Sequence, residues 1–156
     1  MPRMELLDLL KHILEQGSSR ESKATRIAEA IRREGAYRWV GIYDVDMRSG
    51  LVSNIAWSGP GAPAYPIFPM TKGLTTRAIA ERRTINVGDV TQDPDYLTAL
   101  GSTQAEIIIP VLDDTNDQVV GTIDVESERS NAFDSGAQAD LEKCARTVRG
   151  FWTRPD

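Results

Sequence analysis

Apolar residues recur along this chain in two periods, and the switches between them mark out its elements. Over positions 4–16, Leu6, Leu7, Leu10, Ile13 and Leu14 fall on one stripe of a 3.6-residue helix. Such a stripe packs on a sheet or pairs with another chain, and a dimer contact is the slightly favoured expectation. Gly17 to Ser19 breaks the pattern, and Ser18-Ser19-Arg20-Glu21 offers a capping box to a second helix. Ala24, Ile27, Ala28 and Ile31 form the inner face of that helix, with Gly35 as its stop. The period then falls to two. Positions 37–46 alternate Tyr37, Trp39, Gly41 and Tyr43 against Val40, Ile42 and Val45. The turn Met47-Arg48-Ser49-Gly50 leads into a second strand over 51–57, so the pair reads as a hairpin.

Positions 58–69 are rich in Gly and Pro yet carry Tyr65, Ile67 and Phe68. Either a ligand-covering segment or a short strand sealing the core accounts for large apolar groups there. A short helix follows over 73–82, with Thr71 as its N-cap and Ala78 and Ile79 inward. Positions 84–90 read as a short strand and 91–100 as a turn with a helical turn or loop. Near the C-terminus, Asp134 caps a last helix running to about Trp152, with Leu141, Ala145, Val148 and Trp152 on one stripe. This order predicts an α+β fold: an antiparallel sheet of about six strands, terminal helices on one face, and a loop-covered pocket on the other. The whole of 1–156 reads as a single domain, with N-terminal helices over 1–35 and the core with its last helix over 36–152.

Positions 106–128 hold the most informative pattern. Two β-branched runs flank Asp113-Asp114-Thr115-Asn116-Asp117 and form a second hairpin. A turn centred on Thr115 sets Glu106 opposite Asp124, Ile109 opposite Gly121 and Val111 opposite Val119. One face then carries Ile107, Ile109, Val111, Val119, Ile123 and Val125; the other carries Glu106, Thr122, Asp124 and Glu126. Facing like charges destabilise a sheet by up to roughly 1 kcal/mol a pair. A bound cation, a ligand amine or a raised carboxyl pKa offsets this, unless the face is simply solvated.

Composition narrows the partners. The 156 residues carry a formal net charge of −5, with no basic stripe, which argues against nucleic acid. No apolar run reaches membrane-spanning length and no signal peptide is evident, so the expected location is cytoplasmic, without a membrane partner. One Cys and one His exclude an internal disulfide and a Cys/His zinc site; no metal or cofactor is expected. Cys144 falls on the packed side of the last helix, as a small hydrophobe.

Trp39-Val40-Gly41-Ile42-Tyr43, Gly73, Asn86-Val87-Gly88-Asp89-Val90, positions 106–110, Gly121-Thr122-Ile123-Asp124-Val125 and Phe133-Asp134 together resemble a GAF domain, a small ligand-sensing α+β module. Within that fold the sequence is most similar to free methionine-(R)-sulfoxide reductases. Their pocket segments look like G-K-P-A-C, G-V-C-G-T-A, H-I-A-C-D, S-E-I and L-D-I-D-S. The matching stretches here begin at Gly61, Gly73, Tyr96, Ala105 and Ile123, and the cysteine positions hold Tyr65, Thr75 and Ala99. The resemblance implies that Glu106 and Asp124, with Glu126 in place of an aspartate, hold a ligand's amino group.

Sulfoxide reduction in that family needs a thiolate and a resolving cysteine, which these positions lack. The expectation is therefore a non-catalytic sensor or binding domain for an amine-bearing small molecule. Glu106, Asp124 and Glu126 would bind the ammonium, with Tyr65 and Trp57 covering the ligand and Thr75 lining the site. The alternatives are a diverged reductase-like enzyme, and a structural dimerisation module, a homodimer through the terminal helices, with a vestigial pocket.

Overall fold

The computed structural model describes residues 5–96 and 101–154. Ala99, and most of the stretch beginning at Tyr96, lie outside the described residues. Two helices open the chain, α1 (Leu6–Glu15) and α2 (Arg20–Gly35). Ser19 caps α2 by accepting from the Ser22 amide at 3.1 Å. The cap is thus one residue later than Ser18, Glu21 is not at the third helical position, and the expected box does not form. Gly35 is not the left-handed stop either. Ala36 takes that conformation at φ 53°, and Gly35 instead leaves room for the Tyr37 ring.

Six strands follow: β1 (Trp39–Asp46), β2 (Leu51–Ser58), β3 (Ile67–Pro69), β4 (Ile85–Val87), β5 (Ala105–Leu112) and β6 (Val119–Ser127). They form one antiparallel sheet in the order β3-β2-β1-β6-β5-β4. A short strand does close the segment 58–69, at Ile67–Pro69. Phe68 turns inward on this edge strand, while Tyr65 and Ile67 stay exposed. The predicted strand over 84–90 stops at Val87, because Asp89 caps a 3₁₀ turn at Val90–Gln92.

One sheet face meets α2, α4 (Ser135–Val148) and the single turn α5 (Gly150–Thr153), and α1 packs on α2 and α4. Its core joins Val40, Ile42, Ile107, Ile109, Val111, Ile123 and Val125 to Leu10, Ile13, Ile27, Ile31, Leu141 and Val148. Within the chain α1 packs against α2 and α4, burying Leu10 and Ile13 while Leu6, Leu7 and Leu14 stay partly exposed. The last helix breaks at Arg149, one turn before its predicted end, and Trp152 donates from Nε1 to the Tyr43 carbonyl at 3.1 Å. Gly121 makes space for that indole.

The opposite face packs on α3 (Thr75–Glu81) and the segment leading to it. Leu74, rather than Thr71, precedes α3, with no side-chain cap; the Thr76 hydroxyl instead bonds the Met70 carbonyl at 2.9 Å. Trp39, Tyr43, Val45, Val52, Phe68, Ile79 and Val119 cluster here, and Leu74, Ala78, Ile85 and Ile108 form a smaller group beside them. Two residues thus depart from the predicted faces, Val45 and Val119. A register shift in the β5–β6 ladder between Val111 and Leu112 carries Val119 across.

Candidate functional site

The β5–β6 ladder sets the site. Glu106 pairs with Glu126 and Ile108 with Asp124. The register is two residues away from a turn centred on Thr115, so Glu106 faces Glu126 directly and Asp124 only diagonally. An even slip leaves every side chain on its own face, which is why the three acids still share one. Asp124 also pairs with Gly41 of β1, and Glu126 with Trp39. Gly41 has no tolerance for a side chain: a Cβ there would run into the Trp39 indole and lie 2.8 Å from the Tyr43 ring.

All three acids are buried, with Glu106 3 %, Asp124 5 % and Glu126 1 % exposed. The Thr103 hydroxyl donates to Glu126 Oε1, and Asp124 Oδ1 is buried with no hydrogen-bond partner among the described residues. Burial, followed by the charges of Glu126 and Asp124, holds the Glu106 carboxyl well above the usual range. Burial also pushes Asp124 up to about 8, with the Thr122 hydroxyl opposing the shift and the Glu126 charge adding to it. The Tyr43 phenol is raised by burial and then by the same three acids. Asp124 therefore retains its proton at neutral pH, and Glu106 is shifted in the same direction.

The acids line one cavity of about 20 Å³, the space of a single water. Tyr43, Phe68, Leu74 and Ile108 supply its apolar walls; Gly73 and Thr75 close it at the start of α3, and Tyr65, 49 % exposed, stands at its rim. Among the described residues, no basic side chain lines it. Five of the six expected site residues, Glu106, Asp124, Glu126, Tyr65 and Thr75, thus meet there. Trp57 does not. It lies on β2 opposite Gly41, half-buried against the Trp39–Tyr43 cluster. Sequence reading missed Tyr43 and Thr103 as parts of the site. The strict alternation with Trp39 could have pointed to Tyr43, whereas nothing local marks Thr103, which reaches Glu126 only through the backbone bonds of Gln104 to Val90 and Ser127.

The GAF domain family matches this α+β chain over residues 19–149. The chain belongs to the GAF domain family. Protein ZMO0507 of Zymomonas mobilis is 31 % identical over 92 % of this chain and 85 % of its own length. The free methionine-R-sulfoxide reductase of Saccharomyces cerevisiae is 28 % identical over 70 % of this chain and 60 % of its own. Among solved structures, free methionine-R-sulfoxide reductase from Neisseria meningitidis in complex with its substrate superposes with a TM-score of 0.83 at 25 % identity, covering 95 % of this chain and 86 % of that one. This GAF domain thus closely resembles those reductases in sequence and structure.

Two further observations bear on chemistry. Tyr65 and Thr75, which stand where the resemblance puts cysteines, both line the cavity. The single thiol, Cys144, is buried in the helix-side core, across the sheet from the acids, where burial pushes it up to about 11. Among the described residues, no helix is long and apolar enough to cross a membrane, and no cluster of His, Cys, Asp and Glu is arranged to hold a metal.

Proposed function

We propose that this GAF domain is a non-catalytic binding or sensing module for a small molecule bearing a protonated amine. The observation that carries the reading is the meeting of Glu106, Asp124 and Glu126, all buried, around one cavity. An ammonium offers three N–H donors and a positive charge to this group of carboxyls, and Asp124 Oδ1 is buried with no hydrogen-bond partner among the described residues. Each charge-assisted hydrogen bond contributes about 1.5–3 kcal/mol in such surroundings. Binding would let the acids release the protons that the empty site retains. The rest of the ligand would displace Tyr65 and pack on Phe68 and Leu74, since the cavity alone holds only a water-sized group. With the one thiol on the far side of the sheet, thiol-based sulfoxide reduction has no nucleophile at the site.

The test is a thermal-shift screen of the purified protein against amino acids, methionine sulfoxide, simple amines and nucleotides. A ligand that binds only the folded state raises stability by mass action. The reading expects a shift with an amine that disappears in Glu106→Gln. The small cavity favours one second reading, a structural module with a filled, vestigial pocket; this predicts no shift with any compound.

A further inference from the structure

Away from the acids, a groove of about 350 Å³ lies along the outer edge of β5. The short β4 covers only Glu106, Ile107 and Ile108 of that edge, leaving residues 109–112 without a strand beyond them. Ile109, Pro110, Val111 and Leu112 form the groove floor, and four arginines line its walls: Arg82 and Arg83 after α3, Arg146 and Arg149 at the end of α4. Its one acid, Glu142, is occupied by the Thr84 hydroxyl at 2.5 Å and the Gln138 amide at 3.4 Å. Among the described residues, Arg83 alone of the four has an acidic partner, the exposed Glu81 at 2.8 Å. Arg82 donates to the neutral Asp117 carbonyl at 3.2 Å, Arg149 to Asn116 Oδ1 at 3.4 Å, and the Arg149 Nε is buried without a partner. This concentration of positive charge stands out on a chain of net charge −5.

We infer that this groove is a docking site for an acidic, extended segment of a partner protein, laid beside the open edge of β5. Strand addition needs free backbone groups at a sheet edge, and residues 109–112 provide that edge. Pro110 removes one amide donor from it, so the flanking guanidiniums carry much of the recognition through carboxylate pairs. The arrangement suits a row of carboxylates better than one small anion. A phosphate requires guanidiniums converging on a point, whereas Arg82, Arg83 and Arg149 are tied to three different anchors.

The test uses the full chain and a fluorescein-labelled peptide alternating valine and glutamate over eight residues, read by anisotropy, with a valine–lysine peptide as control. Arg82→Glu with Arg146→Glu is the variant, since both side chains are exposed and their reversal leaves the core intact. The expected result is saturable binding of the acidic peptide alone, weakened at least tenfold in the variant and at high salt, with slowed hydrogen exchange at residues 109–112. No saturable binding, equal binding to the variant, or full displacement by millimolar inorganic phosphate without protection of that edge would each overturn the inference.

Discussion

Glu106 and Glu126 stand directly opposite each other across β5 and β6, both carboxyls buried on the wall of one cavity. A protein keeps so costly a pair where something else compensates for it, and a proton does so in the empty state.

Stability should therefore fall as pH rises. The folded state holds the Asp124 proton up to about 8, whereas the unfolded chain releases it near the ordinary 3.8, and Glu106 is shifted in the same direction. Between those limits the folded state binds more protons. Its advantage is complete below the ordinary value and is lost as pH passes the folded one. The slope is about 1.4 kcal/mol per pH unit for each extra proton. Urea unfolding at pH 5.5, 7.0 and 8.5 measures it; Asp124→Asn should flatten the slope and raise stability at pH 8.5.

Replacing Glu106 with Gln should leave the protein folded and at least as stable at neutral pH, since the amide stands in for a buried carboxyl that must otherwise take up a proton on folding. Affinity for an amine ligand should fall about tenfold to a hundredfold, the equivalent of one charge-assisted hydrogen bond. Calorimetric titration of the ligand found by screening, beside urea unfolding of both proteins, separates the two effects.

The Gly41→Ala variant tests how tightly the site is supported. Its new methyl meets the Trp39 indole and the Tyr43 ring, so one of them must move. Overpacking of this kind costs about 1–3 kcal/mol, visible as a lower urea midpoint, and displacement of Tyr43 should weaken ligand binding as well.

Cys144 should be inert. With the thiol buried and raised to about 11, its reaction with a chromogenic disulfide reagent at pH 8 should be at least about a hundredfold slower in the native protein than in denaturant. The Cys144→Ala variant should retain all ligand binding, and neither protein should turn over methionine sulfoxide with a thiol reductant.

The sheet faces were legible in the sequence because parity is robust: Glu106, Asp124 and Glu126 share a face in any even register. The register itself was not. Turn composition at 113–117 fixes neither which residue is central nor the irregularity that sends Val119 to the other side. Helix caps were partly legible. Asp134 caps α4 by accepting from the Ala137 amide at 2.8 Å as its sequence suggests, while the choice between Ser18 and Ser19 depends on how the chain enters α2. Trp57 suits a ligand cover by its character alone, and its strand position sets it against the aromatic cluster beside the cavity. Thr103 contacts Glu126 from a segment with no periodicity, placed by backbone hydrogen bonds that no local pattern announces.

The most direct test of an acidic cavity made for a cation is calorimetric titration of the best-binding amine against its N-acetylated counterpart, at pH 6 and pH 8. The account predicts that the free amine binds with proton release and more tightly at pH 8, where the carboxyls ionise while an alkylammonium keeps its charge, and that the acetylated compound does not bind. Equal affinity for both compounds, or tighter binding of the amine at pH 6, would contradict it.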